Sequence, residues 1–208
     1  EMMGASITLM AGYVPEVSAT AVGEGGVSTG SALWGSGQSF GATISYGGFT
    51  VGGYTNESKA DGGTAGKTDG DKTDHTAYIK YTAGPVSIGY QEGYIEKGIT
   101  GAATAAASPK TVAASNGHFD IEAMGLAFNV NENFSISWQE VEETYDAQSN
   151  VAGGTEIVDV VKESTSIQFA YTMGSMSIKG YQTDTDNPGW DSDAKSNEVT
   201  ELAVNFAF

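Results

Sequence analysis

Glu201-Leu-Ala-Val-Asn-Phe-Ala-Phe208 closes the chain with Leu202, Val204, Phe206 and Phe208 on one side of an extended backbone and Glu201, Ala203, Asn205 and Ala207 on the other. A period of two marks a strand with two unlike faces. In a soluble sheet the larger face would pack on a core, and a terminal strand would leave its last aromatic frayed and wet. An apolar face that runs to Phe208 leads to a different expectation: lipid outside, and a strand paired on both edges within a closed cylinder.

The same alternation recurs upstream. Ser6 to Tyr13 carries Ile7, Leu9, Ala11 and Tyr13 on one side, and Gln38 to Tyr46 carries Phe40, Ala42, Ile44 and Tyr46. Gly47-Gly48 follows at once, a two-residue hairpin turn, and Phe49 to Asn56 continues the pattern. Three more hairpins repeat the unit: Thr76 to Ala83 with Val86 to Tyr94 across Gly84-Pro85, Phe119 to Phe128 with Phe134 to Tyr145 across Asn131 to Asn133, and Glu163 to Met173 with Met176 to Thr183 across Gly174-Ser175. Between them lie long polar segments, 15–37, 57–74, 96–117, 146–159 and 184–197, so short and long connections alternate strictly. A sandwich has no reason to sort its loops by end, whereas a membrane barrel has short turns on one side and long loops on the other. The reading is all-β: a transmembrane antiparallel up-and-down β-barrel with ten strands, residues 1–208 being a single barrel domain or the C-terminal portion of one.

Composition agrees with that reading and excludes others. The chain has 208 residues, 29 of them Gly, with 10 Tyr, 8 Phe, 3 Trp and no Cys. No stretch approaches the roughly 18 consecutive apolar residues of a membrane helix, and the mean hydropathy is -0.21. A strand-built membrane protein looks the same, because only alternate residues meet lipid. The net charge is -17, and all nine basic residues are Lys. Nucleic acid is excluded as a partner, since neutralising phosphates needs a basic surface.

Parity sorts the strand residues into two sets. Ile7, Leu9, Ile44, Val51, Ile79, Ile88, Leu126, Ile136, Ile167, Leu202 and Val204 fall outward. The pore-lining set is Thr43, Ser45, Thr50, Lys80, Thr82, Gln91, Ser135, Ser137, Gln139, Ser166, Gln168, Thr172, Lys179, Glu201 and Asn205. A slip of one residue would put Lys80 and Lys179 in hydrocarbon at about 2–4 kcal/mol each, which fixes the register. Aromatics flank the turns, Tyr46 with Phe49 and Phe128 with Phe134, as a headgroup girdle would. Hydroxyls, amides and lysines in such number need water as partner, so the enclosed space is an aqueous passage.

On these residues the sequence resembles the general diffusion porins of Gram-negative outer membranes, of alphaproteobacterial type. The resemblance rests on Leu202-x-Val204-x-Phe206-x-Phe208, read as an assembly signal, on hairpins such as Phe40-Gly-Ala-Thr-Ile-Ser-Tyr-Gly-Gly-Phe-Thr-Val-Gly-Gly-Tyr54, and on acidic loops. It implies an integral outer-membrane homotrimer of sixteen-stranded barrels that passes small hydrophilic solutes and ions without catalysing a reaction. Its partners would be outer-membrane lipid and lipopolysaccharide. Ten strands would then be the last ten, with the family's inward-folded constriction loop upstream of Glu1, and no eyelet residue is carried over.

Three constellations bear on chemistry. Asp184, Asp186, Asp191 and Asp193 have the oxygen density of a weak calcium site, although Pro188 and Lys195 stand where an EF-hand needs ligands. The alternative is a solvated acidic loop. Glu92, Glu122 and Glu140 fall on the outward side, which requires that the strands have left the hydrocarbon there, that bulges near Gly93 and Gly125 re-aim them, or that another surface covers them. At the rim they could bridge to lipopolysaccharide phosphates through divalent ions. His75 and His118, near Asp74 and Asp120, raise the alternative of a ten-stranded barrel with a protease-like or adhesin role at its loops, yet neither has a metal or triad spacing.

Overall fold

The computed structural model describes residues 4–15, 34–60, 71–97, 117–147 and 158–206. They form ten strands: β1 (Ser6–Val14), β2 (Trp34–Tyr46), β3 (Phe49–Ala60), β4 (Lys72–Ala83), β5 (Val86–Lys97), β6 (Gly117–Asn131), β7 (Phe134–Ala147), β8 (Val160–Met173), β9 (Met176–Asp186) and β10 (Asn197–Phe206). All belong to one antiparallel sheet in which each strand pairs with its sequence neighbours, an up-and-down meander. Every expected strand is present and extends further at its long-connection end than the period indicated. No ladder joins β1 to β10 among the described residues. The ten strands thus form a single sheet with β1 and β10 at its two ends, as expected of the C-terminal portion of a larger barrel.

The turns form for local reasons. Gly47, Gly84 and Gly174 each open a two-residue turn with φ of 57°, 54° and 57°. A positive angle at the first turn residue suits the right-handed twist of the flanking strands and costs glycine least. The fourth turn lacks glycine and is held by an Asx bond, Asn133 N donating to Asn131 Oδ1 at 2.9 Å. Hairpin closure is staggered. One rung, Tyr46–Phe49–Tyr81, closes the first hairpin, and the next turn closes at Ala83–Val86, two residues further along β4. The last turn closes at Met173–Met176, likewise two residues beyond Tyr171, the partner of Phe134. A stagger in one direction is what tilted strands in a barrel wall require.

Because opposed residues share a face, the register carries one parity across the whole sheet. One face runs Ile7–Ile44–Val51–Ile79–Tyr90–Met124 and, a rung lower, Tyr46–Phe49–Tyr81–Ile88–Leu126–Trp138–Ile167. These side chains stand open: Ile7 is 55% exposed, Leu202 66% and Phe206 58%. The only buried apolar residues among those described are Tyr145 and Val160. A soluble sheet hides its apolar face under a second layer, and the described residues supply none. No helix among the described residues is long and apolar enough to cross a membrane, which says nothing about strands.

Two glycines on opposite faces of the sheet test this geometry. A Cβ on Gly41 would lie 2.3 Å from Tyr54 Cδ1, because that ring lies flat across the glycine, whereas a Cβ on Gly53 meets only the Thr76 carbonyl oxygen at 3.6 Å. Gly41→Val should lower the urea midpoint of the refolded protein by the equivalent of about 1–3 kcal/mol, the usual cost of overpacking. Gly53→Val should change it by less than about 0.5 kcal/mol.

Candidate functional site

The opposite face is polar, and the register puts every pore-lining candidate on it. Its hydroxyls bond along the wall. Thr43 Oγ1 lies 2.9 Å from Tyr54 OH and 3.3 Å from Tyr78 OH, Ser45 pairs with Thr50 at 3.1 Å, and Thr82 pairs with Ser87 at 2.9 Å. Further along, Thr183 donates to Ser166 at 2.9 Å and Tyr181 to Glu201 at 3.0 Å. Tyr54 and Tyr78 stack with ring centres 6.2 Å apart, flat against the sheet. Lys80 and Lys179 are exposed on the same face. Two troughs follow it: one of about 600 Å³ includes Tyr78, Lys80, Gln91, Gln139 and Gln168, and one of about 440 Å³ includes Ser135, Lys179, Tyr181 and Glu201. A third cavity, about 1090 Å³, is bordered mainly by apolar-face residues, including Ala42, Gly53 and Ala77 with Leu9 and Phe40 beside them. It lies over small side chains and reaches His75, Glu92, Tyr94, Asp120 and Glu122 toward the long connections.

Toward the long connections the pattern inverts. Glu92, Glu122, Glu142, Glu163 and Asp186 are successive partners on β5 to β9, a single row of carboxylates continuing the apolar face. The ladder runs without a register shift through Gly93 and Gly125, so of the three alternatives bulges are not formed and parity holds. Glu140 lies one rung below, opposite Met124 and Thr165. Tyr90 OH donates to Glu92 at 3.0 Å and to Glu122 at 3.3 Å, tying two of the row together. His118 sits above, 3.3 Å from Asp120 and 3.4 Å from Asp146, with its ring 5.0 Å from that of Tyr94. His75 faces Tyr94 from the other side at 6.3 Å. Both histidines thus stand on the face that bears the carboxylates, away from the hydroxyl-lined wall.

Where one face turns acidic, the other turns apolar. Ile95, Phe119, Tyr145 and Val160 are consecutive partners on β5 to β8, on the polar face. Trp190, from the connection after β9, packs on this rung with ring centres 4.8 Å from Phe119 and 6.3 Å from Tyr145. Tyr145 is only 2% exposed, and burial pushes its phenol pKa up. Reading the sequence by strand period missed this cluster. The signal was there in His118-Phe-Asp-Ile-Glu122, where apolar and charged residues alternate in the opposite phase to the lower half of β6.

The four aspartates proposed for calcium are not gathered. Asp184 and Asp186 lie on β9, where Asp184 opposes Glu198 and Asp186 accepts from Ser196 Oγ. Asp191 is in the connection, its Oδ1 accepting the Asp193 amide at 3.0 Å. Strand parity holds the first two on one face while the turn carries Asp191 and Asp193 elsewhere. Among the described residues no three His, Cys, Asp or Glu side chains could together hold a metal. Of the terminal signal, Leu202, Val204 and Phe206 share the apolar face, and Phe208 lies outside the described residues.

No known protein family matches the sequence, and no curated protein does. Among solved structures, 82% of the chain is similar to "Outer-membrane expressed OmpT of Vibrio cholerae", at 16% sequence identity and a TM-score of 0.48. The chain spans 53% of that protein's length.

At the loop end of β3, Lys59 donates to Glu57 and, at 2.8 Å, to Asp71. Gln38 also donates to Glu57, at 2.6 Å. The hydrogen bond from Lys59, then that from Gln38, holds the Glu57 carboxyl below the ordinary glutamate range. A lowered folded pKa contributes stability that is present above the unfolded value of about 4.3 and is lost as pH falls through the folded value. In a carboxyl-resolved NMR titration, Glu57 should titrate below a free glutamate, and Lys59→Met should move it upward.

Proposed function

We propose that this chain is wall of a bacterial outer-membrane porin, through which small hydrophilic solutes and ions diffuse passively. One observation carries the reading: a single register-locked sheet leaves a continuous apolar face open and lines the other with hydroxyls, amides and lysines. Soluble monomers rarely leave apolar patches beyond a few hundred Å² uncovered, whereas lipid is a suitable solvent for such a face. Outer-membrane lipid and lipopolysaccharide would meet it, and the homotrimer implied by the resemblance belongs to the same proposal. In hydrocarbon the free edges of β1 and β10 need partners, because each unsatisfied backbone group costs several kcal/mol there. In this reading further strands of the same kind complete the ring.

The polar face supports transport because its groups bond sideways along the wall and leave the troughs in front of them to water. Acidic connections and a net charge of -17 favour cations at the mouth, within the roughly 8 Å over which charge acts at physiological salt. A second reading, peptide hydrolysis at the rim, rests on His118 held between Asp120 and Asp146. Cleavage of test peptides by the refolded protein, abolished in His118→Ala, would favour it.

The purified protein in a planar bilayer should give stepwise ion conductance, with a reversal potential displaced toward cation selectivity under a salt gradient. Silence of the folded protein in this assay would end the porin reading. Neighbouring substitutions test the faces. Ile136→Lys should destabilise the protein in lipid vesicles by about 2–4 kcal/mol, the cost of lysine near the hydrocarbon midplane, while Ser137→Lys should cost under about 1 kcal/mol. Equal effects would show that the two faces do not meet different solvents.

A further inference from the structure

The connection between β9 and β10, residues 187–196, folds back over the polar face. Asn187 Nδ2 donates to the Val161 carbonyl at 2.7 Å, and Trp190 Nε1 donates to the Glu143 carbonyl at 3.1 Å. The Trp190 ring reaches Phe119 on β6, so the connection crosses three strand spacings from its root on β9, about 14 Å at the usual separation in a sheet. Lys162 Nζ lies 4.4 Å from the Trp190 ring centre and pairs with Glu143 at 2.8 Å. The indole is thus held on three sides, by the aromatic pair, by the cation and by its own hydrogen bond.

The backbone of the connection is shaped for this. Trp190 has φ of 56°, Asn187 of 48° and Gly189 of 74°. Glycine and asparagine take such angles readily, but a bulky side chain does so only where its surroundings over-determine it. Two short turns brace the segment, Trp190 N to Asn187 O at 2.9 Å and Ala194 N to Asp191 O at 3.0 Å. The rung Ile95–Phe119–Tyr145–Val160 offers an aromatic and aliphatic seat on the polar face, which explains why the connection turns inward and not over the carboxylate row.

We propose that Trp190 is a positioning residue that pins the 187–196 connection across the wall as a fixed constriction, limiting the size of what passes at the long-connection end. This rests on the porin reading and adds to it the element that narrows the passage. Releasing the anchor should free the connection without disturbing the strands, since no rung of the ladder includes Trp190.

The test compares wild type, Trp190→Ala and Trp190→Phe, each first checked for the heat-modifiable gel shift of a folded barrel. Lys195 gives trypsin a site within the connection, identified by fragment mass. Wild type should resist cleavage there, Trp190→Ala should be cut, and Trp190→Phe, which keeps a ring for Phe119 and Tyr145, should regain most of the protection. In planar bilayers Trp190→Ala should show a higher single-channel conductance and admit larger neutral polymers than wild type, with Trp190→Phe near wild type. Unchanged conductance and size limit in a cleavable Trp190→Ala would overturn it. If neither conducts but the cleavage pattern holds, the porin reading falls, the constriction falls with it, and only the docking of Trp190 survives.

Discussion

The interstrand hydrogen-bond ladder is the constraint on which the rest of this molecule depends. Nine consecutive antiparallel pairings hold the ten strands, and the register shifts only between Trp34 and Gly37 and between Asn129 and Asn131. With parity copied so faithfully, a residue's face is decided by odd or even position, and no side chain can choose its solvent independently. Ordinary domains are held by a core; here Tyr145 and Val160 are all that is buried and apolar among the described residues. Stability must therefore come from the ladder and from whatever solvent accepts the open face. In water a backbone hydrogen bond contributes about 0.5–1.5 kcal/mol net, but in hydrocarbon the alternative is an unsatisfied group. On the proposed reading, the same ladder is worth more in the membrane than it would be in solution.

That constraint also explains what could be read from the sequence and what could not. The strands and short turns were legible because period two is local and because Gly47, Gly84 and Gly174 mark their turns by backbone requirement. The polar set from Thr43 to Asn205 was legible for the same reason, since one correct register fixes every other. Closure was not legible, because a strand's sequence states that it needs two neighbours without stating which. The aspartates misled because their crowding is sequential, while alternate exposure and a turn separate them in space. Trp190 was hidden for a different reason: its partners Phe119, Glu143 and Tyr145 lie on other strands, and a segment rich in Asp, Asn, Pro and Gly reads as solvated loop. Only a bulky aromatic in such company hinted at an anchor.

On the proposed reading, the row from Glu92 to Asp186 lets one strand serve two environments. Directly opposed like charges destabilise a sheet, and at about 4 Å two unit charges interact by roughly 1 kcal/mol in water but about 4 kcal/mol at an effective dielectric of 20. Such a row is tolerable only where water is close on the outer side. Met124 and Leu126 stand just below Glu122 on the same face of β6 and are exposed, so on the proposed reading the change of solvent falls between Met124 and Glu122 on β6 and, because Glu140 lies opposite Met124, closer to the short turn on β7. Lengths agree. β6 has 15 residues, about 50 Å at the usual rise, whereas a tilted strand needs only about 9–11 residues to span hydrocarbon.

Beyond that boundary the extra length behaves as a sheet does in water, with charge outside and grease inside. The apolar rung at Phe119 and Tyr145 then has to be covered from within, and a connection rooted on β9 can reach it without interrupting any ladder. An inward-folded segment thus follows from the inversion of phase itself. On the proposed reading, a strand that outlasts the membrane exchanges its two faces, and the newly apolar inner face recruits whatever chain is at hand to shield it.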